Sequence, residues 1–384
     1  MRVPGTMTIV ATERLLADLA GQATDMILTV PTHGRHHLAG GESAMVQFLA
    51  TWAQRQRVPT VSTFARGAAD RQVADLAGQL HGLAVALVAD EVRGVDGQPI
   101  RDRLFELAID RLRIVQGARP SIASRGPQFE LMCADHLGLS APSLLYALDL
   151  DGVARLRDAR AFRDLAVQIM AATVPGTLEA MLPRDIRSTL ASALYELFRN
   201  TEEHARLDDR GNQLRRSLRG IHARRHAIEP ATLADIVGSF EPLAEWARRL
   251  PRPRADSRDA QMLELSVFDS GPGFAARWSG RPLDLIEPPE ELDAIVNCFS
   301  KRGSSKARSA AGLGLCNLVD LLRAKGGFLR LRTGRRSLYA DLSRERDRAY
   351  GDPPDLRAWT TGAGDPARVA GTLVTLLLPL APEA

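Results

Sequence analysis

The chain has 384 residues, a length that makes two domains the default at roughly 100–200 residues each. With 45% hydrophobic and 25% charged residues it has an ordinary globular composition, which excludes a wholly disordered, collagen-like or coiled-coil chain. The net charge of +4 is mildly basic, and of its 50 cationic side chains only Lys301, Lys306 and Lys325 are lysines.

Cys133, Cys298 and Cys316 are odd in number and lack CxxC spacing, so neither a disulfide framework nor a zinc site is expected. Glu13, Arg14 and Asp18 interrupt the apolar stretches of the N-terminus, and no run approaches the about 18 apolar residues of a membrane helix. The expectation is a cytoplasmic protein with no membrane segment. Charge divides unevenly, with a balance of −1 over residues 1–180 and +5 over residues 181–384.

In chain order, MILTVPT (26–32) predicts a buried strand and ESAMVQFLATWAQRQ (42–56) an amphipathic helix. PTVSTFA (59–65) predicts a second strand, and 69–92 a helical stretch with room for a further strand at its end. This alternation predicts a small α/β domain over 1–115. Its order loosely resembles the STAS-like domains of bacterial regulators, a likeness of pattern without a motif. The Gly-, Pro- and Ser-rich stretch 116–130 then opens a region, 116–180, that reads as a helical connector with a second break between Pro175 and Pro183.

Residues 181–384 carry three motifs. In DIRSTLASALYELFRNTEEHARLDD (185–209), Ile186, Leu190, Leu194 and Leu197 form the buried stripe of a helix. Glu196, Asn200 and His204 recur at four-residue steps on another face, lining up a carboxylate, an amide and an imidazole. A carboxylate there can take a proton from water, and an amide oxygen suits Mg²⁺. In LELSVFDSGPGF (263–274) an apolar alternating run ends in Asp269 and a turn with Gly271 and Gly273, which lets a ligand approach the backbone. In FSKRGSSKARSAAGLGLCNLVDLLRAKGG (299–327), Gly312, Leu313 and Gly314 open an apolar helix, and free N–H groups at such an entry favour phosphate. The loop before it carries Lys301 and Lys306, whose compact ammonium groups suit a phosphate contact.

Together, in this order, the three motifs resemble the GHKL superfamily of ATP-binding domains, the Bergerat fold shared by histidine kinases, MutL, gyrase subunits, ninety-kilodalton heat-shock chaperones and anti-sigma serine kinases. ELFRNTEEHA is similar to the family's E-x-x-x-N box, DSGPGF to its first glycine box and AGLGL to its second. GGFLRLRTGRRSLYADL (326–342) reads as a hairpin, and GTLVTLLLPL (371–380) is similar to the closing strand. The likeness spans about 185–380. It implies an α/β sandwich over 181–384, with a mixed sheet and helices on one face, that binds ATP and Mg²⁺. It also implies Asn200 at the metal, Glu196 as proton acceptor, Asp269 at the adenine amine with Thr372 beside it through a water, and His204 at a phosphate. Gly271 and Gly273 would shape the adenine pocket, and 299–314, with Lys301, Gly312, Leu313 and Gly314, would form the ATP lid.

One departure is the roughly 60 residues between the first two motifs, which include the Arg-rich DDRGNQLRRSLRGIHARRH (208–226). This stretch reads either as a solvated helix face or as a surface for nucleic acid or a protein partner. Three activities compete. The first is an ATP-driven conformational switch with slow hydrolysis, working on a protein partner or as a homodimer. The second is a protein kinase, nearer the anti-sigma serine-kinase branch because none of His33, His36, His37, His81 and His136 is followed by an acidic residue. The third is a nucleotide-gated regulator bound to nucleic acid.

Overall fold

The computed structural model describes residues 1–22, 25–36, 40–64, 69–115, 127–229, 240–251, 259–300, 314–360 and 365–381. The N-terminal unit runs β1 (Thr6–Met7), α1 (Ile9–Ala20), β2 (Leu28–Pro31), β3 (Arg35–His36), α2 (Gly41–Arg55), β4 (Thr60–Phe64), α3 (Ala69–Ala77), α4 (Leu80–Val88), β5 (Glu91–Arg93) and α5 (Arg101–Val115). Strands β2, β4 and β5 pair in parallel, in that order, because a helical crossover separates each from the next. Every residue of α4 is buried; its sequence is apolar apart from His81, whose Nε2 is bonded to the Pro31 carbonyl at 2.9 Å. The expected single helical stretch over 69–92 is two helices followed by the further strand.

The rest of the chain continues with β6 (Gln128–Cys133), β7 (Tyr146–Leu148), β8 (Ala154–Leu156), α6 (Ala159–Thr173), α7 (Gly176–Glu179) and α8 (Ile186–His204). Next come β9 (Arg219–Ile228), α9 (Glu241–Arg248), β10 (Ala260–Asp269), α10 (Phe274–Ser279), α11 (Pro288–Cys298) and α12 (Gly314–Ala324). The chain closes with β11 (Phe328–Thr333), β12 (Arg336–Asp341), β13 (Arg357–Ala358) and β14 (Thr372–Pro379). Seven of these strands build one sheet in the order β13-β12-β11-β14-β10-β9-β6. The expected hairpin is β11–β12, and the expected closing strand, β14, inserts between β11 and β10.

Three expectations need correction. Every neighbouring pair in this sheet is antiparallel, so it is not mixed. Residues 116–180 are not simply a helical connector, since β6 forms the sheet's edge on β9 and α6 packs beneath it. The Arg-rich stretch is not a solvated helix face, because its second half is β9, an interior strand of the sheet.

Both faces of the sheet are covered. On the front, α6, α8 and α12 pack over Leu263, Leu265, Val267, Leu329, Leu331, Val374 and Leu376 in one apolar cluster. Helix α8 sits there because Leu190, Leu194 and Phe198 recur on its inner side; full burial of such a side chain contributes about 1.5–3 kcal/mol.

The rear face carries the N-terminal unit, so helices do not lie on one face alone. Its middle row is polar: Arg330, Thr375, Ser266, His222 and Glu130 stand side by side in register across β11, β14, β10, β9 and β6, all buried. The N-terminal end of α2 seats on this row. Gly40 lies against Thr375, Glu42 pairs with His222 (2.9 Å) and accepts from Arg224 (2.7 Å), and the Gly40 N–H is bonded by Glu264. Glu13 of α1 pairs with Arg332 at 2.9 Å, and Arg111 of α5 with Glu130. Apolar contacts flank the row, with Phe268, Leu373 and Met132 in one cluster with α2 and α4. No described helix is long and apolar enough to cross a membrane.

Candidate functional site

The strand ends of β10, β14 and β11 meet at one edge of the front face, where the pleat turns Asp269, Thr372 and Thr333 toward α8. Asp269 Oδ1 accepts from the N–H of Gly271 (2.9 Å) and of Thr372 (3.2 Å). Its Oδ2 has no hydrogen-bond partner among the described residues. Burial pushes the Asp269 carboxyl up to about 6, against the pull of those two N–H groups and of Arg219. The group keeps its charge at neutral pH while sitting largely out of water.

The turn after Asp269 is clamped from two sides. Gly271 lies against Ala205 at the end of α8, where a Cβ would come 2.6 Å from Ala205 Cα. Gly271 O accepts from Gly371 N at 2.7 Å, tying the turn to the entry of β14. Gly371 itself has φ +63°, and a Cβ there would fall 2.0 Å from the Asp269 carbonyl oxygen, so only glycine fits. Gly273 lies just before α10 and packs on Thr333. Thr372 presents its N–H to Asp269, while its Oγ1 is bonded to Thr333 Oγ1 at 3.0 Å. Thr333 also accepts from Phe274 N at 3.1 Å. It has no motif signal; only its pairing with Thr372 reveals it.

On α8, Glu196 is mostly buried and pairs with Arg199 at 2.7 Å. Burial raises its carboxyl above the usual range; Arg199 opposes this and Glu203 adds to it. Gly314, at the start of α12, lies directly on this carboxylate. Asn200, one turn further along α8, is half-buried and its side chain makes no hydrogen bond to another described residue, which suits its amide oxygen to an oxygen-seeking cation such as Mg²⁺. No group of three or more His, Cys, Asp or Glu converges as a metal site among the described residues, so a cation here would rest on Asn200 and on ligand oxygens.

His204 stands apart from this cluster. It ends α8 with Nδ1 3.3 Å from Arg277 and lines a cavity of about 370 Å³ with Glu203, Arg206 and Arg277. Neither Asn200 nor Asp269 lines that cavity. Lys301, Lys306, Gly312 and Leu313 lie outside the described residues. Lys325, the third lysine, pairs with Asp185 at 2.6 Å and so ties the end of α12 to the start of α8.

The structure thus gathers Asp269, Gly271, Gly273 and Thr372 at one end of the sheet, and separately sets Gly314 of α12 on Glu196 of α8, with Asn200 one turn along that helix. The arginines of 208–226 take another part. Arg219 is buried and forks onto Asp135 while reaching Glu202 at 2.8 Å, Arg216 pairs with Asp90 at 2.5 Å, and Arg224 with Glu42. No protein family, curated protein or solved structure matches the chain.

Proposed function

We propose that the C-terminal part of the chain is a Mg²⁺-dependent ATP-binding module of the histidine-kinase-like (GHKL, Bergerat-fold) type, acting as an ATP-driven conformational switch with slow hydrolysis. The observation that carries this reading is Asp269. A charged carboxylate at the end of a buried strand has one oxygen fixed by two backbone N–H groups and the other left to accept from a ligand, the arrangement an exocyclic amine such as that of adenine requires. The uncommitted amide of Asn200 and the Gly314 backbone on Glu196 supply the other features such a module needs.

Bound ATP would supply the phosphoanhydride bond and the phosphate oxygens that complete a Mg²⁺ shell. The chain's own residues divide the remaining tasks. Asp269 orients the base, and Asn200 contributes one oxygen to the metal. Glu196 takes a proton from water; its raised affinity for protons makes it a better base than an exposed glutamate. Gly314 opens α12 without a side chain, which lets the helix entry lie directly on that carboxylate, and the free N–H groups of such an entry would suit a phosphate.

Incubation with γ-labelled ATP and Mg²⁺ tests the reading. Slow release of labelled phosphate is expected, with ATP retained on the protein by equilibrium dialysis. Label held stably on protein would replace the switch by a kinase, and absence of ATP binding would overturn the nucleotide reading.

A further inference from the structure

We infer that helix α2 of the N-terminal unit positions the adenine end of the candidate nucleotide site from behind. The inference rests on the nucleotide reading above and names residues no motif includes. Gln47, Thr51 and Gln54 stand at steps of four and three along α2, hence on one face. Gln47 Nε2 donates to the carbonyls of Arg332 (3.1 Å) and Ala370 (3.2 Å). Thr51 Oγ1 accepts from Ala370 N at 3.0 Å. Gln54 Nε2 donates to the carbonyls of Ser270 (2.8 Å) and Arg216 (3.0 Å).

The partners of these side chains are the significant point. Ser270 follows Asp269 directly, and Ala370 lies two residues before Thr372, so one helix face holds both loops whose N–H groups fix Asp269 Oδ1. Elsewhere the loops are held by Ala205 against Gly271, by the Gly371 N–H on Gly271 O and by the Leu218 N–H on Ser270 Oγ. Behind the turn lies a cavity of about 380 Å³ with Thr51 and Gln54 on one wall and Gly271, Pro272 and Ala370 on the other. With open space on this side, hydrogen bonds from α2 rather than close packing hold the two loops there. The N-terminal unit and the nucleotide are thereby linked, and linkage is reciprocal: a ligand that needs these loops in place strengthens the seat of α2, and a shifted α2 weakens the ligand.

The test uses the full chain and a fluorescent ATP analogue, with the melting temperature of every variant measured alongside. Thr51→Val keeps the side chain's shape but removes the acceptor, and Gln54→Glu keeps the length but removes the donor. Each should raise Kd roughly threefold to tenfold, the value of one or two lost hydrogen bonds. Thr51→Ser, which keeps the hydroxyl, should restore parental affinity. The loss should be equal for ATP, ADP and AMP, because it acts at the base and not at the phosphates. As a readout independent of substitution, saturating ATP should slow amide exchange in 41–55 of the parent. Parental affinity in both variants, or unchanged exchange in α2 while the parent binds ATP, overturns the inference alone. A parent that binds no ATP overturns the nucleotide reading itself.

Discussion

Gly314, the first residue of α12, stands so close to Glu196 of α8 that a Cβ there would fall 1.9 Å from Glu196 Oε2. The atom in the way is the far end of a side chain that can rotate, so Gly314→Ala should displace the carboxylate rather than unfold the protein. The expected result is a near-parental melting temperature with ATP turnover reduced at least tenfold, in line with the geometric sensitivity of positioned groups.

Glu196→Gln removes the proton acceptor and keeps the shape. Turnover should fall by roughly 100-fold or more while ATP stays bound, the usual size of a general-base contribution. Because burial raises the Glu196 carboxyl, parental turnover should climb with pH through a value above that of an exposed glutamate, and the variant should lose that limb. A variant as fast as the parent, measured by phosphate release, removes the assignment.

Asp269 separates binding from stability. Burial holds its folded value near 6, above that of the unfolded chain, so the charge works against folding once the pH exceeds both values, and the cost fades as the pH falls toward 4. Asp269→Asn keeps an acceptor for Gly271 and Thr372 without the charge. At pH 8 it should be as stable as the parent or more so, by on the order of 1 kcal/mol, yet lose most of its ATP affinity. Parental ATP binding should itself weaken as the pH drops through about 6. Denaturant melts and binding titrations across pH 5–8 check both.

The seat of α2 also depends on pH. Burial alone would keep His222 neutral, but Glu42 beside it, with Glu264 and Glu130 further off, raises its proton affinity. The contribution of the protonated imidazole is therefore complete below its unfolded value and is lost as pH rises through the folded one. Glu42→Gln leaves both His222 and Arg224 without their carboxylate. It should cost on the order of 3 kcal/mol near pH 6, and less once the pH has risen past the folded value of His222, where only Arg224 still carries a charge.

Nucleic acid should not be retained. Arg216 and Arg219 are spent on internal carboxylates and Arg224 on Glu42, so they cannot release counterions from phosphates. A mobility-shift series starting at about 50 mM salt should show no complex. A complex that dissolves steeply with added salt would assign Arg210 and Arg215, at the exposed start of the same stretch, to a binding surface.

What was legible in the sequence was what repeats over short distances. The stripe of Ile186, Leu190 and Leu194, the run ending in Asp269 and the hairpin across Gly334 all carry their period within a few residues. Elements fixed by distant partners were hidden. Arg219 and Arg224 look solvated in sequence, because Asp135, Glu202 and Glu42 lie 84, 17 and 182 residues away. β6 is masked by the same effect, since Glu130 interrupts its apolar pattern and is neutralised by Arg111 from another helix. In the site, glycines and carboxylates stood out by type, whereas Thr333 and Gln54 are common residues whose role comes only from what faces them.

The polar row across the rear of the sheet bears on how this protein can be handled. A fragment cut at residue 181 would carry all three motifs but would leave behind β6 and the whole N-terminal unit. Strand β9 would become an open edge, and His222, Ser266, Thr375 and Arg330 would face solvent in the company of Phe268 and Leu373, a surface suited to sticking to its own copies. The motif-bearing half is therefore not a freestanding module, and the whole chain is the smallest unit on which its chemistry is sensibly measured.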